Sequence, residues 1–211
     1  MEQDTAGCSI YIQIYCSRRN RLIFTDIFAT DKRYGIVYAD PPWRYDNRGC
    51  RGACEKHYPT MSLGDICNLP VEDIITGNSI LFLWVTYPML LEGLRVIRAW
   101  GFEYKTLAFQ WLKTYPKQTD KFVLGLGYWT RSNSECCLLG THGKPKRKQA
   151  NISRLIIAPL GKHSEKPLAV REKIKLLMGE DIPAIELFAR SETEGWDCWG
   201  NEAGRIGGSY S

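Results

Sequence analysis

The tetrad Asp40-Pro41-Pro42-Trp43 gathers a carboxylate, a carbonyl that no ladder requires and an indole within four residues. Such a set can accept both hydrogens of an exocyclic amine while an aromatic face sandwiches the ring that carries it. The apolar run Ile36-Val37-Tyr38-Ala39 before it reads as a strand. Neither proline can donate to a ladder, so the strand stops there and Asp40 is left at its carboxyl end, facing a loop. An open, mostly parallel sheet binds its ligands at the carboxyl ends of its strands, and Glu186, near the end of the apolar run 184–190, is a second acid so placed. In isolation the tetrad also reads as an ordinary strand-terminating turn with a packed Trp.

The elements that must position these groups follow from periodicity. Residues 9–16 alternate Ile10, Ile12 and Ile14 with polar neighbours and read as a short edge strand or hairpin arm. A polar loop over 44–59 is long enough to be functional, and 62–67 reads as a capped helical turn. The continuous apolar run 79–85 suggests a strand buried on both faces, hence a parallel sheet. Residues 89–100 then put Leu90, Leu91, Leu94, Ile97 and Trp100 near one helical face with Gly101 as the stop, which makes a crossover unit. Strands follow over 106–113 and 135–139, separated by a long segment, 114–134, whose Gly125, Gly127, Tyr128, Trp129, Arg131 and Asn133 suit a ligand-contacting loop. A strand over 155–158, a helix from Pro167 to 178, the strand 184–190 and a fraying tail over 202–211 complete a single α/β domain.

The chain has 211 residues, 44% hydrophobic and 24% charged, which fits one globular domain and excludes collagen-like, coiled-coil and wholly disordered classes. Its formal net charge of +5 is local: Lys144, Lys146, Arg147, Lys148 and Arg154 stand in a stretch without an acid, and the remainder sums to zero. A patch of this kind reads either as a solvated loop or as the contact for a polyanion, because counterion release grows with the phosphates contacted together. The acidic start Met1-Glu2-Gln3-Asp4 has no apolar leader core after it, and no apolar run reaches the length of a membrane span. The eight Cys lack paired CxxC units, so no metal site is expected; Cys136 and Cys137 read as small reduced core residues.

The tetrad after an apolar strand resembles the catalytic motif of amino-group methyltransferases that use S-adenosylmethionine. Its place ahead of the cofactor strand is similar to the adenine-N6 methyltransferase family of the Asp-Pro-Pro-Trp type, which includes the messenger-RNA adenosine methyltransferase catalytic subunit and small bacterial and phage DNA enzymes. Further segments resemble that family in order: His57-Tyr58-Pro59-Thr60-Met61-Ser62, Leu81-Phe82-Leu83-Trp84-Val85-Thr86, Trp111-Leu112-Lys113-Thr114, His163-Ser164-Glu165-Lys166-Pro167, Ile185-Glu186-Leu187-Phe188-Ala189-Arg190 and Trp199-Gly200-Asn201.

The resemblance implies a single Rossmann-like methyltransferase domain over 1–211, with N-terminal strands in 1–33 and a mostly parallel sheet flanked by helices. It also implies roles. Asp40 and the Pro41 carbonyl would accept the amine hydrogens, with Pro42 completing the turn, and Trp43 and Tyr58 would flank the base. Lys166 would meet the methionine carboxylate of the cofactor beside the target base; Glu186 and Arg190 would lie by the ribose, Asn201 would bond a ribose hydroxyl, and Asp40, Leu187 and Phe188 would also contact the cofactor. Asp26-Ile27 resembles the pair that reads the cofactor's adenine, with a shorter spacing to the tetrad here.

A duplex hides the amine in its stack, so the base is extruded or the substrate is unpaired. Phosphate contacts are expected from Arg44, Arg48, Arg51 and Lys56 on one side of the pocket, and from Lys144, Lys146, Arg147 and Lys148 on the other. The leading expectation is a DNA adenine methyltransferase of bacterial or phage type, cytoplasmic, monomeric or homodimeric, without metal or membrane. RNA is the alternative substrate, and an inactive nucleic-acid-binding partner subunit is the third reading.

Overall fold

The fold is seen in a computed structural model that describes residues 25–45, 60–127, 129–161 and 165–200. The strand expected at 9–16 and the tail over 202–211 lie outside the described residues. Strand β1 (Tyr34–Ala39) is buried along its whole length, as a strand covered on both faces must be. It pairs in parallel with β2 (Ile75–Val85) on one side and β7 (Ala184–Leu187) on the other, and β8 (Asp197–Trp199) continues parallel to β7.

Beyond β2 the sheet changes character. Strand β3 (Glu103–Tyr115) turns directly into β4 (Gln118–Phe122), and β5 (Ser134–His142) then runs antiparallel between β3 and β2. A reversal through a tight turn needs no crossover, which is why this half is antiparallel where the other is parallel. Strand β6 (Leu155–Pro159) returns parallel to β3, so the order is β4-β3-β5-β2-β1-β7-β8 with β6 also on β3. The sheet is therefore mixed, with four parallel and three antiparallel pairings among the described strands. The segment expected to be one long loop over 114–134 contains β4.

Alternation along the strands divides the core into two layers. Val37, Ala39, Leu81, Leu83, Val85, Leu138, Ile185 and Leu187 face the helices α1 (Leu63–Cys67) and α2 (Leu90–Ala99). Ile36, Tyr38, Phe82, Trp84, Phe109, Trp111 and Cys137 face α3 (Ala169–Met178) through Val170, Ile174 and Met178. Ser62 caps α1 by accepting the Asp65 amide at 3.1 Å, as the sequence suggests. Cys136 and Cys137 are buried in the core, where burial pushes the Cys136 thiol up to about 11.

Helix α2 packs through Leu94, Ile97 and Trp100, as expected, but Leu90 and Leu91 stay outside the contact. It buries Gly93, Val96 and Ile97, while Trp100 just beyond it donates its indole N–H to the Ile66 carbonyl at 2.8 Å. Leu91 lies about 120° around the helix from Ile97 and is exposed, and Leu90 at the first turn is also exposed. The reason is steric: a Cβ at residue 93 would stand 2.5 Å from Val85 Cγ1, so the helix descends onto β2 through its glycine. Gly101 (φ 78°) ends the helix in a Schellman arrangement, with its amide on Arg98 and the Phe102 amide on Ile97.

Gly93→Ala gains helix propensity, yet its methyl must displace a β-branched side chain in a buried strand. The expected outcome is a net loss of about 1–2 kcal/mol, a fall of roughly 3–6 °C in Tm by calorimetry, partly restored by adding Val85→Ala. An unchanged or raised Tm would mean that the helix can lift without cost.

Candidate active site

Asp40 follows the last residue of β1, and the tetrad then turns away from the sheet. The Trp43 amide bonds the Pro41 carbonyl at 2.9 Å, and the Met61 amide bonds the Pro42 carbonyl at 2.9 Å, which ties the tetrad to the segment entering α1. The Pro41 carbonyl keeps its second lone pair. Trp43 is 5% exposed, and its indole N–H donates to the Trp84 carbonyl at 3.2 Å. The ring expected to stack on a base is thus a wall of the core in this structure. Arg44, next in sequence, is exposed.

On the α3 side of the sheet, neighbouring strands bring charges into one line. Register places Leu83 beside Ala39, Cys137 beside Trp84, and Trp111 beside Glu135. Asp40, Glu135 and Lys113 therefore project from β1, β5 and β3 toward the same edge. Lys166, from the segment before α3, lies between the acids with its Nζ 2.6 Å from Asp40 Oδ2 and 3.3 Å from Glu135 Oε2. Lys113 closes the line as a salt bridge and hydrogen bond to Glu135 Oε1.

A second pair lies one strand over. Arg171 of α3 bonds both oxygens of Glu186 on β7, at 2.7 and 2.6 Å. Each cation also lies over an aromatic ring: Lys113 over Trp111 at 5.1 Å, Lys166 over Trp84 at 5.5 Å, and Arg171 over Tyr38 at 5.4 Å. The Trp84 indole donates to the Tyr38 hydroxyl at 2.8 Å, joining the two clusters from below. Three cations meet three carboxylates, so the assembly is neutral although most of it is buried.

Burial would push the Glu135 carboxyl up, but Lys166 and Lys113 outweigh it and hold the group below the ordinary carboxylate range. Burial would likewise lower the Lys166 ammonium, and Asp40 and Glu135 raise it instead. At Glu186 burial prevails and pushes the carboxyl up, even with the Arg171 guanidinium on both oxygens.

The structure brings together Asp40, Pro41, Lys166 and, beside them, Glu186. Glu186 faces Arg171, not a solvent-lined ribose position, and Leu187 is buried in the other core layer. Phe188 has a positive φ of 61° and packs edge-on against Trp199 at 5.4 Å, and Phe28 meets the same ring at 6.2 Å. The Thr25 amide bonds the Cys198 carbonyl at 3.1 Å, so Asp26 and Ile27 lie beside the end of β8, close to Phe188; Arg190 follows at intermediate exposure. Tyr58, Arg48, Arg51, Lys56 and Asn201 lie outside the described residues.

Lys144, Lys146, Arg147 and Lys148 do not flank this site. They follow the end of β5, where His142 pairs with Ser79; the Lys144 amide bonds Asn78 Oδ1 and the Lys148 amide bonds the Leu177 carbonyl. Ser79 is five residues before Trp84 on β2, which puts the stretch roughly 17 Å away, at the opposite end of the sheet. Antiparallel β5 carries the chain away from the site before the basic residues begin.

Glu135, Lys113 and Arg171 received no role from the sequence. The signals were there: an acid opening the apolar run Cys136-Cys137-Leu138-Leu139, and two cations, Arg171 and Lys175, on the same helical face as Ile174 and Met178. Only the register shows that the first belongs beside Asp40.

The chain is an α/β domain whose charged side chains gather at the edge of the central sheet where β1 ends, the place such sheets offer to ligands. Residues 34–202 match the MT-A70 family. The chain is 36% identical over 191 residues to the Type II methyltransferase M.MunI of a Mycoplasma species, covering 81% of this chain and 78% of that one. It is 29% identical over 179 residues to an N(6)-adenosine-methyltransferase MT-A70-like protein of Arabidopsis thaliana, covering 84% of this chain and 24% of that one. Against the human N(6)-adenosine-methyltransferase catalytic subunit METTL3 the identity is 27% over 173 residues, covering 81% and 28%. This chain belongs to the MT-A70 family and is a methyltransferase domain of that family.

Glu135→Gln leaves the buried Lys166 and the partly buried Lys113 short of a charge and is expected to cost about 3 kcal/mol at neutral pH. Because folding depresses this carboxyl, its contribution is present above the ordinary range of about 4.3 and is lost as pH falls through the lower folded value. Urea unfolding at pH 7 and in acid should show the wild-type advantage shrinking at low pH. An advantage that persists in acid would assign the loss to shape, not charge.

Proposed function

We propose that this chain transfers the methyl group of S-adenosylmethionine to the exocyclic N6 amine of adenine in DNA, with the base extruded or unpaired. The observation that carries the reading is the state of Asp40: a carboxylate at the rim whose Oδ2 is held by Lys166 and whose Oδ1 has no hydrogen bond among the described residues. The relative of similar length is a type II methyltransferase, and two longer relatives are N(6)-adenosine-methyltransferases.

The residues present fit the cofactor. Lys166 is a buried cation at the site, suited to a carboxylate, and the partly buried rings of Phe188 and Trp199 beside Asp26 and Ile27 suit an adenine. When bound, S-adenosylmethionine supplies an electrophilic methyl on a sulfonium leaving group, so positioning is most of what the protein must add. Asp40 Oδ1 and the Pro41 carbonyl accept the two amine hydrogens. The nitrogen lone pair, otherwise delocalised into the ring, is thereby drawn toward a tetrahedral geometry, and the acceptors stabilise the positive charge that develops on it. Lys166 orients Asp40 through its Oδ2, and Glu135 shares the positive charge of Lys166 from the other side. Glu186 and Arg171 brace β7 against α3 and hold the turn at Phe188 in place. Arg44, exposed beside the tetrad, is the phosphate contact.

Asp40→Ala should lower methyl transfer by about 100-fold or more and leave S-adenosylmethionine affinity within a few fold. Transfer from labelled cofactor to matched DNA and RNA, with the product nucleoside identified by mass spectrometry, tests both the residue and the substrate. Retained turnover would remove Asp40 from the chemistry, and methyladenosine in RNA alone would overturn DNA. In the same assay Arg44→Ala should flatten the salt dependence by about one unit of slope, whereas Lys146→Ala, Arg147→Ala and Lys148→Ala combined should leave it nearly unchanged.

A further inference from the structure

The segment between β4 and β5 exposes large apolar side chains: Leu124 is 64% exposed, Leu126 78% and Trp129 100%. Its backbone is nonetheless organised. Gly125 and Ser132 exchange both main-chain hydrogen bonds, at 2.7 and 3.2 Å. Beyond that clamp, a Cβ at residue 127 would lie 2.1 Å from the Thr130 carbonyl oxygen, an approach that only glycine allows, and Trp129 stands next to it in full exposure.

Both ends of the finger are rooted on Lys113. The Lys113 amide donates to the Asn133 carbonyl at 2.9 Å, and its carbonyl accepts the Val123 amide at 2.8 Å. Lys113 is the outer member of the ionic line that ends on Asp40, so the finger rises from the edge of the active site. Across 115–133 the chain carries Lys117, Lys121 and Arg131 against Asp120 alone, and all three cations are exposed. One aromatic ring buries about 150–250 Å² and a stable protein interface needs about 800 Å² per partner, so this narrow basic tip is too small to hold a protein by itself.

A duplex that gives up one base offers an occupant of the right size. Extrusion costs a few kcal/mol and leaves a planar apolar gap between two base pairs. Aromatic rings stack on bases irrespective of sequence, and side chains inserted between base steps are a recurrent way to hold an opened duplex. We propose that Trp129 enters the DNA stack at the target adenine and fills the space the base vacates, while Lys121 and Arg131 hold the flanking phosphates. This rests on the reading of the chain as a DNA adenine methyltransferase.

The test compares methyl transfer to unmethylated genomic DNA, native and heat-denatured, by wild type, Trp129→Ala and Trp129→Phe. The expected result is a loss of roughly 10-fold or more for Trp129→Ala on native DNA, less than about 2-fold on denatured DNA, and substantial retention by Trp129→Phe. Because the side chain is fully exposed, Tm should not move. Equal losses on both substrates, as a dimer contact or a general binding role would give, overturn the wedge; so do full activity of Trp129→Ala on native DNA and a wild type active only on denatured DNA. A wild type that methylates neither form overturns the DNA reading itself, and the wedge with it.

Discussion

A charge removed from water has to be neutralised where it lies, and on the α3 face of this sheet six charges are subject to that constraint. Asp40, Lys166, Glu135 and Lys113 satisfy one another in a line, and Glu186 with Arg171 does so one strand away. No member can be moved alone. Lys166 is held from both sides and above the Trp84 ring, so Asp40 is positioned by groups from three strands and a segment remote in sequence. That is a rigid way to present a carboxylate at the edge of the sheet in one orientation.

The mixed sheet is what makes the line possible. In an all-parallel order the strand beside β2 would come from another crossover, with its amino end at the far edge. The turn after β3 instead folds the chain back, and β5 enters between β3 and β2 with its first residues level with Asp40. Glu135 therefore opens β5 at the active-site edge. The same antiparallel course carries Lys144 and its basic neighbours to the other end of the molecule, so one choice of strand direction adds a carboxylate to the site and removes a cationic patch from it.

Much of the framework was legible. Ser62 before Leu63 reads as a cap and is one; the run through Leu81 and Leu83 reads as a buried strand and is one; Gly101 ends its helix as expected. Those signals are local, set by side-chain hydrogen bonding, burial on two faces and φ. The readings that failed depended on distance. Leu91 looked like a core residue because it is apolar, yet Gly93 decides which stripe of α2 meets β2, through a contact with Val85. Glu186 and Arg190 lie four apart in sequence, yet the bidentate partner of Glu186 is Arg171, which α3 brings across the sheet.

The amino-acid sequence by itself determined the chemistry available to this protein: a carboxylate at a strand end, a proline carbonyl beside it, a lysine ahead of a helix and an aromatic-rich finger between two strands. Those are properties of residue types and near neighbours. The tertiary structure decided which acids and bases share a dielectric environment, which cations face them, and which end of the sheet each loop occupies. Such facts depend on strand register and direction, and these are set by packing over the whole sheet, a sum of long-range contacts that no local window of sequence contains.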